Sequence, residues 1–337
     1  MRERIREFHK KHERWFPLAF FVFGFLFDAV MIRRIDEPMV IIQQAAYLVA
    51  AGALICMFLM NRTFWKYQEE LLHFLLGTLL NAYMIFYFKA ASLFASLGFI
   101  LLLCGLLYFN ESKRFRNALF CLCLTSYFVC MVPIALGALG WIPFVLGLLA
   151  ATLAIAPMVW FLLKRDLAKP IVLPFLAVQA AFALLYFLEM IPPVPLSVTS
   201  IGIYHDIRKA NGAYELVSTR SRWRFWQKGD QLFTARAGDR IFCFARIFSP
   251  SRFKDKLQVR WLHYDERHGW MHHDAIPLPV VGGREEGFRG FTVKSNYEPG
   301  EWRVQVETSD NRELGRIYFR VVADAGSEER PTHVDVD

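Results

Sequence analysis

Ile191-Pro192-Pro193-Val194-Pro195-Leu196 divides this chain in two. Three prolines in four positions remove backbone donors and fix φ, so a helix cannot pass through them and an extended strut is favoured. The residues before this exit are organised in long apolar runs. Those after it alternate with a period of two. The spacing therefore predicts a helical part over 16–190, a proline-rich linker over 191–200 and a β-rich part over 201–322.

Working back from the prolines, seven apolar runs cover 16–32, 39–60, 71–88, 90–109, 118–136, 141–163 and 171–190. About 20 apolar residues span a bilayer core as a helix, so each run is read as a membrane span. Trp15, Trp65, Tyr108, Trp141 and Trp160 sit at run ends, where amphipathic rings are favoured. Arg33-Arg34 follows the first run in place of a small-residue cleavage site, so that run is read as a retained span. Ala91/Ala95 and Ser92/Ser96 are small residues at a spacing that permits close helix packing.

Charge sets the expected orientation. Residues 1–190 hold 17 Lys+Arg and 11 Asp+Glu, while the remainder holds 22 and 20, so the basic excess belongs to the helical part. With the N-terminus inside, the segments 1–15, 61–70, 110–117 and 164–170 carry 14 basic residues against 3 in the outer loops. The positive-inside rule then predicts an inner-membrane protein with a basic cytoplasmic segment over 1–15 and everything after Met190 outside the cytoplasm. The lipid bilayer is one expected partner. A basic balance confined to membrane-flanking loops gives no reason to expect nucleic acid.

Beyond the prolines, Glu301-Trp302-Arg303-Val304-Gln305-Val306-Glu307 places Trp302, Val304 and Val306 on one face, and Arg316-Ile317-Tyr318-Phe319-Arg320-Val321 repeats the pattern. Such alternation marks half-buried antiparallel strands. Further strands are expected over 213–219, 231–236, 240–248, 257–264, 274–281 and 288–294, divided by turns such as Gly238-Asp239 and Pro299-Gly300. Seven or eight short strands predict a β-sandwich-like domain. The last hairpin should have an even loop around Asp310–Glu313, so that the two apolar faces coincide. The polar tail 323–337 is expected to be disordered.

Gln258-Val259-Arg260-Trp261, Gly282-Gly283-Arg284-Glu285-Glu286-Gly287-Phe288-Arg289-Gly290, Pro299-Gly300-Glu301-Trp302-Arg303-Val304 and Leu314-Gly315-Arg316-Ile317 together resemble an uncharacterised bacterial family. That family is a domain of unknown function found at the C-terminus of multi-span membrane proteins. The resemblance covers about 191–322. It implies an inner-membrane location and a β domain, and it carries no activity or catalytic residue.

Several clusters are candidates for chemistry. His263, His268, His272 and His273 with Asp265 and Asp274 are the most metal-like set, but adjacent His272 and His273 would face opposite ways in a strand, and a solvated hairpin is the expected reading; no metal site is assigned. Gly282–Gly287 lacks the Lys-Ser/Thr ending of a phosphate loop, so it reads first as a turn between strands; the functional alternative is a binding loop whose Arg284 and Arg289 grip an anion. No nucleophile elbow frames a serine, so no catalytic residue and no cofactor are assigned. Cys121, Cys123, Cys130 and Cys243 read as core residues. Trp223 and Trp226, interleaved with basic residues, suit a membrane interface. Asp28, Lys89 and Glu189 are charges in or at the ends of apolar runs, predicted at one membrane level; the plainer reading is separate headgroup-level charges, and the sharper one pairs Lys89 with Asp28 or Glu189 as the floor of a binding pocket.

The first functional reading is a non-enzymatic envelope protein presenting a β domain to a partner protein, glycan or lipid. The alternatives are a transporter or lipid-handling protein, and a membrane enzyme acting on lipid-linked substrates.

Overall fold

The computed structural model describes residues 16–31, 37–89, 113–188, 196–210, 212–221, 223–224, 227–248, 254–281, 288–309, 311–326 and 330–337. Two units divide it near the proline exit.

Among the described residues the first unit holds six helices: α1 Phe16–Met31, α2 Pro38–Leu59, α3 Gln68–Lys89, α4 Lys113–Leu136, α5 Trp141–Leu163 and α6 Lys169–Phe187. That is one fewer than the seven spans expected, because the run 90–109 and its Ala91/Ala95 pattern lie outside the described residues. Four helices, α2, α4, α5 and α6, are long and apolar enough to cross a membrane. The apolar part of α1, Phe16–Asp28, is shorter. The first turns of α3 carry Gln68, Glu69, Glu70 and His73, which lowers its hydropathy.

This unit exposes large apolar side chains and buries several polar ones beside its apolar core. Val49, Leu153 and Leu173 are exposed, while Gln44, Asn81, Asn117 and Thr125 are buried. Exposed apolar faces are stable against lipid, and buried amides find partners inside: Asn117 Nδ2 donates to the Pro170 carbonyl at 3.1 Å. α4 packs against α5 and α6 and also meets α2. Gly147 on α5 lets the α4 backbone approach, since a Cβ there would lie 3.0 Å from Val129 Cα. The rings of Phe144 and Tyr186 stack at 3.8 Å and join α5 to α6. After α5, Lys164 lies 3.5 Å from the Trp160 ring centroid, a cation held beside an interfacial aromatic.

α1 and α3 cross through glycine. A Cβ on Gly24 would lie 2.2 Å from the Phe74 carbonyl oxygen, and one on Gly77 would lie 2.1 Å from that of Phe21. No side chain fits at either position without moving backbone, so this pair of glycines fixes the register of the two helices.

The second unit is β-rich. Its strands are β1 Ser197–Tyr204, β2 Asp206–Ala210, β3 Ala213–Ser218, β4 Leu232–Ala235, β5 Ile241–Phe248, β6 Lys254–Asp265, β7 Gly269–Val281, β8 Phe288–Lys294, β9 Gly300–Thr308, β10 Glu313–Ala323 and β11 His333–Val336. They form sheets ordered β1-β5-β8, β4-β10-β9-β6-β7 and β11-β3-β2. The first two meet face to face where Gly315 on β10 lies against Val198 on β1, and Gly290 on β8 against Leu278 on β7. Trp261, Trp302, Phe319, Phe233 and Phe244 are buried. In the third sheet, Ile207 and Leu216 join Tyr204, Phe242 and Phe244 in one apolar cluster.

The last hairpin realises the predicted faces by a different route. Trp302 pairs with Phe319 and Val304 with Ile317, all buried. The turn itself is odd: the Thr308 amide donates to the Arg312 carbonyl at 2.9 Å, leaving three residues between them, and Asn311 has φ +62. A bulge between Glu313 and Gly315 then restores the parity. A short turn with a left-handed residue followed by a bulge is a common hairpin solution, and the buried faces dictate the compensation. Glu301 stands across from Arg320, with an Nε–Oε1 distance of 2.5 Å.

Two stretches differ from expectation. β1 begins at Ser197, inside the segment read as linker. Residues 333–336, expected to be disordered, pair antiparallel with β3. Arg220 holds Asp335 with two bonds of 2.9 and 3.1 Å, and Arg246 holds Asp337 at 2.6 Å. An acidic tail lacks enough apolar surface to order itself, but arginines on a folded surface supply what it lacks.

Candidate functional site

A cleft of about 960 Å³ opens in the β unit between the 219–231 loop, β4 and residues 324–331. Its construction starts at Gly229. With φ +67 and an added Cβ falling 2.1 Å from the Ile203 carbonyl oxygen, only glycine fits there. This contact lets the Asp230 amide donate to that carbonyl at 2.7 Å, and so seats the buried Asp230 carboxyl at the inner end of the cleft. Asp230 accepts from the Thr219 amide at 3.0 Å and from the Thr219 hydroxyl at 3.0 Å.

The walls carry Arg220, Arg224, Arg236 and Arg330. Arg236 Nε donates to Asp324 at 2.7 Å, and Arg330 Nη2 pairs with Asp239 at 2.7 Å. Arg220, tethered to Asp335, keeps a buried Nε with no hydrogen-bond partner. Arg224 is exposed, with its guanidinium 5.9 Å from the Trp223 ring centroid. Gln227 Nε2 donates to Gln231 Oε1 at 2.9 Å on the same wall. Arg224 is the guanidinium of this wall that is open to solvent, and with the flanking amides it suits phosphate or carboxylate oxygens.

Behind the cleft, His205 stacks on Phe233 at 4.0 Å, and its Nδ1 lies 3.3 Å from Arg330 Nη1. Since arginine only donates, Nδ1 accepts and the ring proton sits on Nε2, 3.8 Å from Asp230. Burial, reinforced by Arg330, pushes His205 down to about 4. Burial also pushes Asp230 up to about 6, against the opposing hydrogen bonds from Thr219.

These shifts act on stability with opposite signs. Unfolded histidine protonates below 6.5 while folded His205 stays neutral to about 4, so its contribution to stability is lost as pH falls across that window. Folded Asp230 takes its proton near 6, and the unfolded residue only near 3.8, so stability is gained as pH falls over that range. Each shift is worth about 3 kcal/mol, and in the native protein they offset. His205→Gln should therefore gain stability relative to the parent on moving from neutral pH to pH near 4, and Asp230→Asn should lose it. Urea unfolding of the full chain in detergent checks this, and identical pH slopes in the two variants would refute it.

The residues singled out from sequence are dispersed. Arg289 Nη1 donates to the Asp337 carbonyl at 2.9 Å and lies 4.0 Å from the Asp337 carboxylate. Arg284, Trp226 and Glu189 lie outside the described residues. Trp223 is exposed at the start of the cleft loop. Of the histidines, His273 sits at a bulge in β7, 2.9 Å from Lys294 Nζ, and His268 accompanies Asp265 in the hairpin turn. Among the described residues no cluster has the ligands for a metal. Cys121, Cys123, Cys130 and Cys243 are buried free thiols.

Asp28 is fully buried, and its partners are neutral. Gln44 Nε2 on α2 donates to Oδ1 at 3.4 Å, and Asn81 Nδ2 on α3 donates to Oδ2 at 3.3 Å. The side chain of Lys89, the candidate partner read from the sequence, lies outside the described residues. Lys89 is the last residue of α3, eight beyond Asn81, or roughly 12 Å along a helix axis. Gln44 and Asn81 are legible as amides within apolar runs, but nothing in the sequence ties either to Asp28.

Residues 254–321 match the family model described as Protein of unknown function (DUF2914). This is the stretch from β6 into β10. No curated protein matches the chain. Among solved structures, the chain is similar to an immunoglobulin-like protein from Pseudomonas aeruginosa, at 14% identity and TM-score 0.23, over 38% of this chain and 98% of that one. It is also similar to the alkylpurine DNA glycosylase AlkC of Pseudomonas fluorescens, solved bound to DNA containing an abasic site analog, at 9% identity and TM-score 0.18, over 74% and 52% of the respective chains.

Proposed function

We propose that this chain is a bacterial inner-membrane protein with a cytoplasmic N-terminus and about seven spans. Its β-sandwich-like domain stands in the periplasm and binds an anionic envelope ligand. The observation that carries this reading is the arginine-lined cleft, with an open rim at the exposed Arg224. Exposed Trp223 beside that rim favours a lipid headgroup over a partner protein or a glycan, because tryptophan is at home at the membrane interface. The skew of basic residues to one set of loops supports the orientation.

A single thiol tests both parts. Thr234 lines the cleft, and the cysteines of the described β residues reduce to buried Cys243. In spheroplasts a membrane-impermeant maleimide should label Thr234→Cys. In nanodiscs the labelling should be several-fold slower in phosphatidylglycerol than in phosphatidylcholine, and adding Arg224→Ala with Arg236→Ala should erase that difference. Labelling confined to inside-out vesicles would overturn the orientation, and equal rates in the two lipids would overturn the ligand class.

A further inference from the structure

We propose that Asp28 is a proton-binding site within the helical unit, taking its proton from water and returning it there. The inference goes beyond ligand binding by the β domain and rests on the reading of the helices as membrane spans. Its geometry follows from the glycine crossing. Gly24 and Gly77 fix α1 against α3, and one turn further along each helix stand Asp28 and Asn81. α2 adds Gln44 from the other side.

An ionised carboxylate fits this place poorly. Both hydrogen bonds are long, both donors are neutral, and no cation among the described residues forms an ion pair with Asp28. A charge inside a membrane normally faces a partner or a pathway. Three of the described titratable groups on the neighbouring helices are bonded elsewhere. His73 is eight residues before Asn81, roughly 12 Å along the axis, and bonds to the Glu69 carbonyl. Glu69 pairs with Arg116 of α4 at 3.7 Å, and Tyr47 of α2 accepts from Gln43.

The protonated form finds an acceptor in the same amide. Gln44 Oε1 is buried with no hydrogen-bond partner. Turning that amide over brings Oε1 to Asp28, where it accepts from the carboxylic O–H, while the second carboxyl oxygen keeps the Asn81 donor. The oxygen and nitrogen of an amide have nearly the same shape, so this exchange needs no repacking and only moves the unpartnered position from Oε1 to Nε2. The site therefore has two hydrogen-bonding states, one for each protonation state of Asp28, related by rotation of a single amide.

The test uses the full chain in lipid nanodiscs at neutral pH. Infrared difference spectra should show a carboxylic C=O band that shifts in heavy water and is lost in Asp28→Asn, a variant that keeps the size and one donor–acceptor set. Dicyclohexylcarbodiimide, which modifies protonated carboxyls in apolar surroundings, should label Asp28 and leave the half-exposed Glu69 unlabelled. Gln44→Lys, which sets a cation beside the carboxylate, should abolish the band. Absence of the band in the parent protein would overturn the proposal whatever the labelling, because the spectrum does not depend on reagent access. Suppression of the band by sodium ions would also overturn it, by assigning the site to a metal cation.

Discussion

Replacing Trp302 with Ala should destabilise the β unit by about 3–5 kcal/mol, the range for removing a large aromatic side chain from a packed core. Trp302 is fully buried on β9. Phe319 is its cross-strand partner, and the rings of His263 and His273 lie 4.8 and 5.2 Å away. Its Nε1 donates to the Glu298 carbonyl at 2.9 Å, which ties the strand to the turn that precedes it. Trp302→Phe keeps much of the ring contact and loses this bond, so it should cost distinctly less, the bond itself being worth about 1 kcal/mol. Urea unfolding of the full chain in detergent measures both. A Trp302→Ala midpoint equal to that of the parent would show that this face is not core.

The second large effect concerns a buried ion pair, and it should be asymmetric. Lys294 on β8 is 2% exposed, and its ammonium meets the Asp274 carboxylate, Nδ1 of His273 and, at 3.2 Å, Oδ1 of Asn296. The Trp302 ring centroid lies 5.2 Å from it. Asp274, by contrast, keeps 36% of its side chain in solvent. Asp274→Ala strands a cation away from water and should cost about 3–5 kcal/mol. Lys294→Met leaves a carboxylate that water can hydrate and fills the space with an apolar chain, so it should cost far less. The hydrogen bond from Lys294 holds the Asp274 carboxyl below its ordinary value of 3.8. The stability it supplies is therefore present above that value and is lost as pH falls below it, with acid reproducing the effect of Asp274→Ala. Equal destabilisation by the two substitutions would contradict this account.

The two cases differ in how far the sequence announced them. Trp302, Val304 and Val306 alternate within one strand, and the alternation alone placed them inside. Lys294 carries the opposite signal, since a lysine at a strand end is ordinarily solvated. Its burial follows from Asp274 and His273, twenty and twenty-one residues away, brought near by the bulge in β7. The same limit applied to the tail. His333-Val334-Asp335-Val336 also alternates, but its acidity read as disorder until Arg220, Arg246 and Arg289 stood opposite it. The cleft was not legible at all: Gly229 and Asp230 look like an ordinary turn, and the Ile203 carbonyl that selects them lies 26 residues away.

Composition and periodicity by themselves determined the division at the prolines, the apolar helices before it, the eight strand positions from 213 to 321 and the faces that the last two of those strands bury. These depend on a residue and its near neighbours, because the helix and strand periods are local properties of the backbone. Which polar groups meet was decided by the tertiary structure alone. Asp28 meets Gln44 and Asn81 because two glycines set the helix register, and Arg289 holds Asp337 because β11 docks on β3. A hydrogen bond or ion pair forms only within about 3 Å and in one geometry, so its partners depend on the whole fold and no stretch of chain states them alone.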